Sequence, residues 1–345
     1  VATFRHGVNL GGWLSQCEQR ARHLHYGSFI IGDDIRRIAD WGFDHVRLPV
    51  DSTVFTNADG QYDMDVLAYI DQCLFWCQNA GLGLQLDMHR LPGYYIATPQ
   101  QNDLFASQPH MAESRRLWRM LTKRFIGTGA ALRFELLNEP EWPSTYPVND
   151  FYADLIACVR EIDANRVLVI GGNHYSHVDS LESMTLYHDP AIVYTFHYYE
   201  PNLFTNQLYH YSRGDRSGYP HPVDYPGMIP QLREYLDAHP EKAEENGRYC
   251  WIPNDQALIH KHLQKACDFQ NHFHRTTYMG EFGVSYYAQS DARCAWLRDV
   301  LAFANANHID WCYWTYKDMD YGLLNSQGKV ISWAVVNTLQ AGCKG

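Results

Sequence analysis

The sequence predicts an α/β fold: a (β/α)8 TIM barrel with a subdomain inserted after its sixth strand. Three observations carry that expectation. Short apolar runs alternate with amphipathic stretches along the 345-residue chain, and alternating strand and helix implies a parallel sheet. The apolar runs number eight, in a length that suits eight βα repeats. One interval, residues 201–262, is too long for an ordinary βα loop and is rich in Tyr, His and Pro.

In chain order, HGVNL (6–10) reads as the first strand. GDDIRRIADWG (32–42) reads as a helix, because Asp33 and Asp34 suit its positive end and Gly42 follows it. FDHVRLPV (43–50) is the second strand. MDVLAYIDQCLFWCQNAG (64–81) is a helix that stops at Gly81. LGLQLDMH (82–89) is the third strand, AESRRLWRMLTKRF (112–125) a helix, and ALRFELLN (131–138) the fourth strand. NDFYADLIACVREIDA (149–164) reads as a helix capped by Asn149 or Asp150. RVLVIGG (166–172) and AIVYTFHYY (191–199) are strands five and six. After the insertion come TTYMGEFG (276–283), the helix SDARCAWLRDVLAFANAN (290–307) and HIDWCYWTY (308–316). We expect residues 1–345 to form one catalytic domain, with 201–262 lying on the upper face of the barrel.

Bulk composition narrows the function. Asp and Glu number 39 against 28 Lys and Arg, and no basic stripe with interleaved aromatics is present, so nucleic acid is not an expected partner. No apolar run approaches the ~20 residues of a membrane span, so a membrane is not expected either. The start, VATFRHGVNL, lacks a basic segment followed by an apolar block. The nine Cys show no CxxC spacing, and their scatter leans towards reduced thiols. The expected location is cytoplasmic, or secreted with a signal already removed, and the expected state is a monomer. The 18 His would charge below about pH 6.5.

In a barrel of this kind the active site lies at the C-terminal ends of the strands. Arg47 stands at the end of strand two, His89 at three, Asn138 and Glu139 at four, His197 and Tyr199 at six, Glu281 at seven and Trp314 at eight. Strands four and seven oppose each other across the ring, so Glu139 and Glu281 can face one another. Two opposed carboxylates in different environments are the equipment of glycoside hydrolysis: one stays protonated as the acid, the other stays ionised. Arg47 and the Tyr199 hydroxyl would favour the ionised form of Glu281. Asn138 is placed to bond a sugar 2-hydroxyl, His89 and His197 supply polar contacts, and Trp314 offers a stacking surface. Pro140 ends strand four because it has no N–H for the ladder. Trp13 divides evenly between core and sugar contact, and Tyr225 and Trp251 are candidate sugar contacts in the insertion. The HLH (23–25), HKH (260–262) and HFH (272–274) tripeptides lack the partners of a metal site. Neither a metal nor another cofactor is expected.

NEP after one strand and GEFG after another, with the Arg, His, His-x-Tyr and Trp in this order, resemble glycoside hydrolase family 5. GVNLGGWLSQ, GFDHVRLP, QCLFWCQNAGLGLQLDMH, FELLNEP, VLVIGGN, FHYYEP, GEFGV and YKDMD extend the likeness to that family's bacterial endoglucanase C group, from about residue 5 to 340. The resemblance implies that Glu139 is the acid/base and Glu281 the nucleophile. It also implies that Arg47, His89, Asn138, His197, Tyr199 and Trp314 bind substrate. The implied activity is that of a retaining endo-β-glucanase on β-1,4- and mixed-linkage β-1,3-1,4-glucan. One departure is Arg90, where the family usually has a second His. Alternatives on the same barrel are a β-mannan or β-1,3-glucan preference, chain-end β-glucosidase action, or a metal-dependent hydrolase. From another class, a carbohydrate-binding protein would keep the aromatics but has no use for two opposed glutamates. Activity in the presence of a chelator separates these classes.

Overall fold

The computed structural model describes residues 3–17, 22–57, 59–207 and 219–345. Eight strands among them carry the barrel: β1 (His6–Asn9), β2 (His45–Asp51), β3 (Gly83–Leu91), β4 (Leu132–Glu135), β5 (Leu168–Gly171), β6 (Ile192–Tyr198), β7 (Thr277–Phe282) and β8 (Asp310–Tyr313). Each pairs in parallel with the next, and β8 returns to β1 through His6–Trp311, Gly7–Cys312 and Val8–Tyr313, which closes the ring. The strands are buried almost throughout, as both faces of a helix-covered parallel sheet must be.

The helices are α1 (Arg22–Ser28), α2 (Gly32–Asp40), α3 (Met64–Asn79), α4 (Gln108–Arg124), α5 (Thr145–Arg160), α6 (Asn202–Thr205), α7 (Leu232–Ala238), α8 (Ala243–Asn246), α9 (Gln256–Phe273), α10 (Ser290–Ala306) and α11 (Trp333–Gly342). Local chemistry sets several starts. Asp63 accepts the Asp65 and Val66 amides at the head of α3, and Asp255 accepts the Leu258 amide at the head of α9. Each such cap stabilises its helix by about 1 kcal/mol. Gly81, at φ 76°, turns the chain out of α3.

The expected cap at Asn149 or Asp150 is wrong. The helix α5 begins four residues earlier, after Ser144, and Asn149 lies inside it. Its amide instead donates to the Ser183 carbonyl and accepts the Thr185 N–H. Strand four also leaves the regular ladder at Glu135 rather than running to 138, although the Leu136 amide still bonds Val169 and the Asn138 amide bonds Met88.

Within the described part of 201–262, α6, α7, α8 and short 3-10 turns lead into α9, which packs against α10. Glu200, directly after β6, anchors this region to the barrel by accepting hydrogen bonds from Tyr249 and Arg248. Tyr225 donates its hydroxyl to Asp299 of α10 and is 5% exposed, so it is held in the core and is not a sugar contact. Trp251 is 70% exposed, with Arg233 over its ring. Trp13 is fully buried, donates to the Tyr26 carbonyl and stacks on Trp76, which makes it core. Seven of the nine Cys are buried, and among the described residues no disulfide links them. No described helix is long and apolar enough to cross a membrane.

Candidate active site

Inside the barrel, alternate residues of each strand point at the axis. In β2 that alternation aims Arg47 inward, where it is fully buried. Its Nε and Nη2 donate to the two oxygens of Glu135 at 2.7 and 2.9 Å. Its Nη1 donates to Asn9 Oδ1 at 2.9 Å and to Glu281 Oε1 at 2.6 Å. Its Nη2 also meets Asn138 Oδ1 at 2.8 Å and Asp87 Oδ2 at 3.0 Å. One guanidinium thus ties together strands one, two, three, four and seven, and its rigid fork is suited to that role.

Glu281, at the end of β7, receives Arg47 on one oxygen and the Tyr199 hydroxyl on the other at 3.0 Å. Glu139 stands across the mouth in the left-handed region, at φ 44°. Tyr94 donates to its main-chain carbonyl, and Asn138 precedes it. His197 lies between the two carboxylates. Its Nδ1 is 2.6 Å from Glu139 Oε1 and 3.6 Å from Glu281 Oε2. Burial brings this imidazole down to about 4, against the pull of Glu281, so it is neutral near neutral pH. One hydrogen bond joins Glu139 Oε1 to His197 Nδ1.

The remaining expected residues are also here. His89 Nδ1 bonds Asp87 Oδ2 at 2.8 Å, and its ring stacks on Trp314 with centroids 5.7 Å apart and planes 7° apart. One face of Trp314 is thus already engaged by His89, and Trp314 packs with Tyr321, Tyr199 and Met319. The Asn138 Nδ2 is buried without a partner among the described residues, while its Oδ1 is held by Arg47. That leaves a fixed N–H donor for a ligand oxygen. All eight expected residues line one mouth. Arg90, near the end of β3, lies over the Tyr95 ring at 4.4 Å.

Sequence reasoning missed the layer beneath. Glu135, Asp87, Asn9 and Gln85 are all fully buried. Gln85 donates to Glu135 and accepts from Arg133, whose guanidinium lies over Tyr278. Asp87 is under opposing influences: Arg47 favours its ionised form, while burial and the nearby Glu135 and Glu139 disfavour it. Burial dominates and its carboxyl is pushed well up. The available signal was polar residues at every second position of otherwise apolar strands: Arg133 and Glu135, Gln85, Asp87 and His89.

Donor atoms of Glu139, His197 and Glu281 all lie within 4.8 Å of one another. That set has the chemistry of a metal site, but a guanidinium 2.6 Å from Glu281 opposes a second cation there.

The Cellulase (glycosyl hydrolase family 5) profile matches residues 15–320. Endoglucanase C of Acetivibrio thermocellus is 36% identical over 344 residues, covering 98% of both chains. Cellodextrinase A of Ruminococcus flavefaciens is 28% identical over 296 residues, covering 85% of this chain and 80% of its own. Among solved structures, a hyperthermophilic endo-β-1,4-glucanase in complex with substrate superposes with a TM-score of 0.77 at 20% identity, covering 98% and 97% of the two chains.

Proposed function

The chain belongs to glycosyl hydrolase family 5 and is a glycoside hydrolase; from that premise we propose that it cleaves β-1,4-glucan and mixed-linkage β-1,3-1,4-glucan internally, with retention of configuration. The observation that carries the reading is the placement of Glu139 and Glu281, with one carboxylate oxygen of each within 4.8 Å of the other. Retaining pairs stand about 5–5.5 Å apart, whereas inverting pairs need about 6.5–9.5 Å to admit a water.

In the first step Glu281 attacks the anomeric carbon while Glu139 protonates the departing glycosidic oxygen. A covalent glycosyl-enzyme forms and the leaving sugar departs as an alcohol. In the second step Glu139, now ionised, takes a proton from water, which displaces Glu281 from the anomeric carbon. Arg47 and Tyr199 hold Glu281 in line, and neutral His197 keeps Glu139 oriented without adding a charge. The free Nδ2–H of Asn138 is offered to the sugar 2-hydroxyl, an interaction that strengthens in the transition state. The described chain acts as one catalytic unit, with the described part of 201–262 bordering the cleft.

The test is proton NMR of the first product released from mixed-linkage glucan, in the presence of a chelator. A β anomer at early times supports the reading, and an α anomer removes it. A panel of cello-, manno- and β-1,3-gluco-oligosaccharides then ranks the substrates.

A further inference from the structure

Strand β7 delivers Glu281 to the barrel axis against its own period. Successive side chains of a strand alternate between faces. The Tyr278 ring points at the axis, where its hydroxyl meets His45 Nε2 at 2.8 Å and the Arg133 guanidinium lies over it. Regular alternation from Tyr278 would turn Gly280 inward and Glu281 outward. On the β6 side Phe196 pairs with Met279 and the next residue, His197, with Glu281, so Gly280 is passed over. On the β8 side Trp311 pairs with Met279 and Tyr313 with Phe282, so Gly280 and Glu281 together oppose Cys312. Gly280 is the extra residue of a β-bulge. It reverses the alternation, which sends Glu281 inward and Phe282 outward against Trp296 of α10, with ring centroids 6.5 Å apart.

A bulge takes main-chain groups off the ladder, and in a buried strand each must find another partner. The Gly280 carbonyl finds Asn9, the last residue of β1 and two strands away, whose side-chain amide donates to it at 3.1 Å. The same Nδ2 lies 3.2 Å from the Tyr313 carbonyl and 3.3 Å from Cys312 Sγ, on the strand between. Space is closed too: a Cβ on Gly280 would stand 2.6 Å from Thr195 Oγ1. The other end of the Asn9 amide faces Arg47. Its Oδ1 accepts Arg47 Nη1 at 2.9 Å, and that nitrogen donates to Glu281 Oε1 at 2.6 Å. This orientation is forced, because a guanidinium only donates and a carbonyl only accepts. Asn9 is itself fully buried, and its own carbonyl accepts Thr315 Oγ1 at 2.8 Å and the Tyr316 amide at 2.9 Å.

Asn9 therefore holds the main chain one residue before Glu281 and, with its other atom, the cation that Glu281 touches. Resting on the reading of Glu281 as nucleophile, we propose that Asn9 is a positioning residue for the attack on the anomeric carbon. It pins the bulge that turns Glu281 inward and sets the guanidinium against it, so the carboxylate stands in its reacting position before substrate arrives. Fully buried, it acts through Glu281 alone.

A 2-deoxy-2-fluoro cellobioside with a dinitrophenol leaving group reads this attack by itself. The aglycone departs without a proton from Glu139, and the fluorine slows release, so the sugar stays on the nucleophile. Mass spectrometry gives the labelled peptide and the labelling rate. Wild type should be labelled on Glu281. Asn9→Leu, which removes both contacts at similar volume, should be labelled about 10–100-fold more slowly, the scale of a displaced reacting group, with the half-saturating concentration within about twofold. Asn9→Asp keeps the shape and the acceptor for Arg47 but has no donor for Gly280. It should be slowed at least about fivefold, and it carries the test if Asn9→Leu does not fold. A last arm separates position from general damage to the site. In Glu281→Ala, azide attacks in place of the missing carboxylate, so adding Asn9→Leu should leave the azide-dependent rate on dinitrophenyl cellobioside within about twofold. An undiminished labelling rate in a folded variant would overturn the proposal. So would a raised half-saturating concentration in place of a slower maximal rate, or an azide-dependent rate that falls as far as the labelling rate. Wild type labelled at another residue would instead remove the nucleophile reading, and the proposal with it.

Discussion

Lowering the pH from 7 to 5 should cost this protein about 5 kcal/mol of folding stability, mostly through histidines that the fold keeps neutral. His45, His197 and His262 are buried, and burial brings each down to about 4 from the ordinary 6.5. The unfolded chain charges each of them near pH 6.5, while the folded chain does not until near pH 4. Between those values the unfolded state binds more protons, so stability is fully present above about pH 6.5 and falls with pH. At pH 5 each residue removes about 2 kcal/mol, and the three together about 6. Asp310 acts in the opposite sense. Its buried carboxyl is raised to about 6, so the folded state gains a proton that the unfolded state lacks, returning about 1 kcal/mol at pH 5. Raised Asp87 adds to that return, while lowered His6 and His89 add to the loss. For a chain of this length, about 2.1 cal/mol/K per residue converts 5 kcal/mol into a Tm lower by about 7 °C. Calorimetry and urea denaturation at the two pH values measure it. His262→Gln gives a second arm. This residue faces the Tyr198 hydroxyl at 3.3 Å and lies near Glu200, Arg248, His177 and Lys265. Whatever the substitution does at pH 7, it should shrink the difference between pH 7 and 5 by about 2 kcal/mol. Equal stability at both pH values, greater stability at pH 5, or an unchanged difference in His262→Gln would refute the reasoning.

Glu281→Ala should abolish turnover of every substrate, and azide should give it an inverted α-glycosyl product. Glu139→Ala should accumulate the glycosyl-enzyme from a dinitrophenyl glycoside, and azide should release a retained β product; chromatography and NMR of the azides distinguish the two, and exchanged outcomes would mean the roles are reversed. Glu135→Gln keeps the shape but breaks the bidentate ion pair with Arg47, so calorimetry should show Tm lower by about 4–7 °C, the equivalent of 3–5 kcal/mol. Its kcat should also fall at least about tenfold as Arg47 shifts against Glu281; a lowered Tm with kcat intact would make the ring purely structural. Trp251→Ala should raise KM on long mixed-linkage glucan and leave aryl cellobioside kinetics unchanged, since the ring is exposed in the insertion; equal effects on both would count against a cleft-bordering insertion.

Some features were legible because they follow from local chemistry and from period. Eight apolar runs separated by helices can close only as a parallel ring, and the last residue of each run then stands at one mouth. That reasoning placed Arg47, His89, Asn138, Glu139, His197, Tyr199, Glu281 and Trp314 without knowledge of any distance. It misplaced the start of α5, because Asn149 and Asp150 have the chemistry of a cap while Ser144 has the extended backbone of one. It left Trp13 undecided between core and sugar contact and named Tyr225 and Trp251 as candidate sugar contacts; the fold buries the first two and exposes the third.

The sequence by itself determined the architecture and the strand-end positions of Glu139 and Glu281, because strand period and strand-end position are properties of neighbours in the chain. Only the tertiary structure decided which polar groups meet beneath them. Asn9, Arg47, Asp87 and Glu135 come from four strands, up to 126 positions apart, and their contact depends on the stagger of the closed barrel. The same holds for charge. A count of histidines says what can ionise, but burial, which exists only once the chain is packed, decides that His45, His197 and His262 do not.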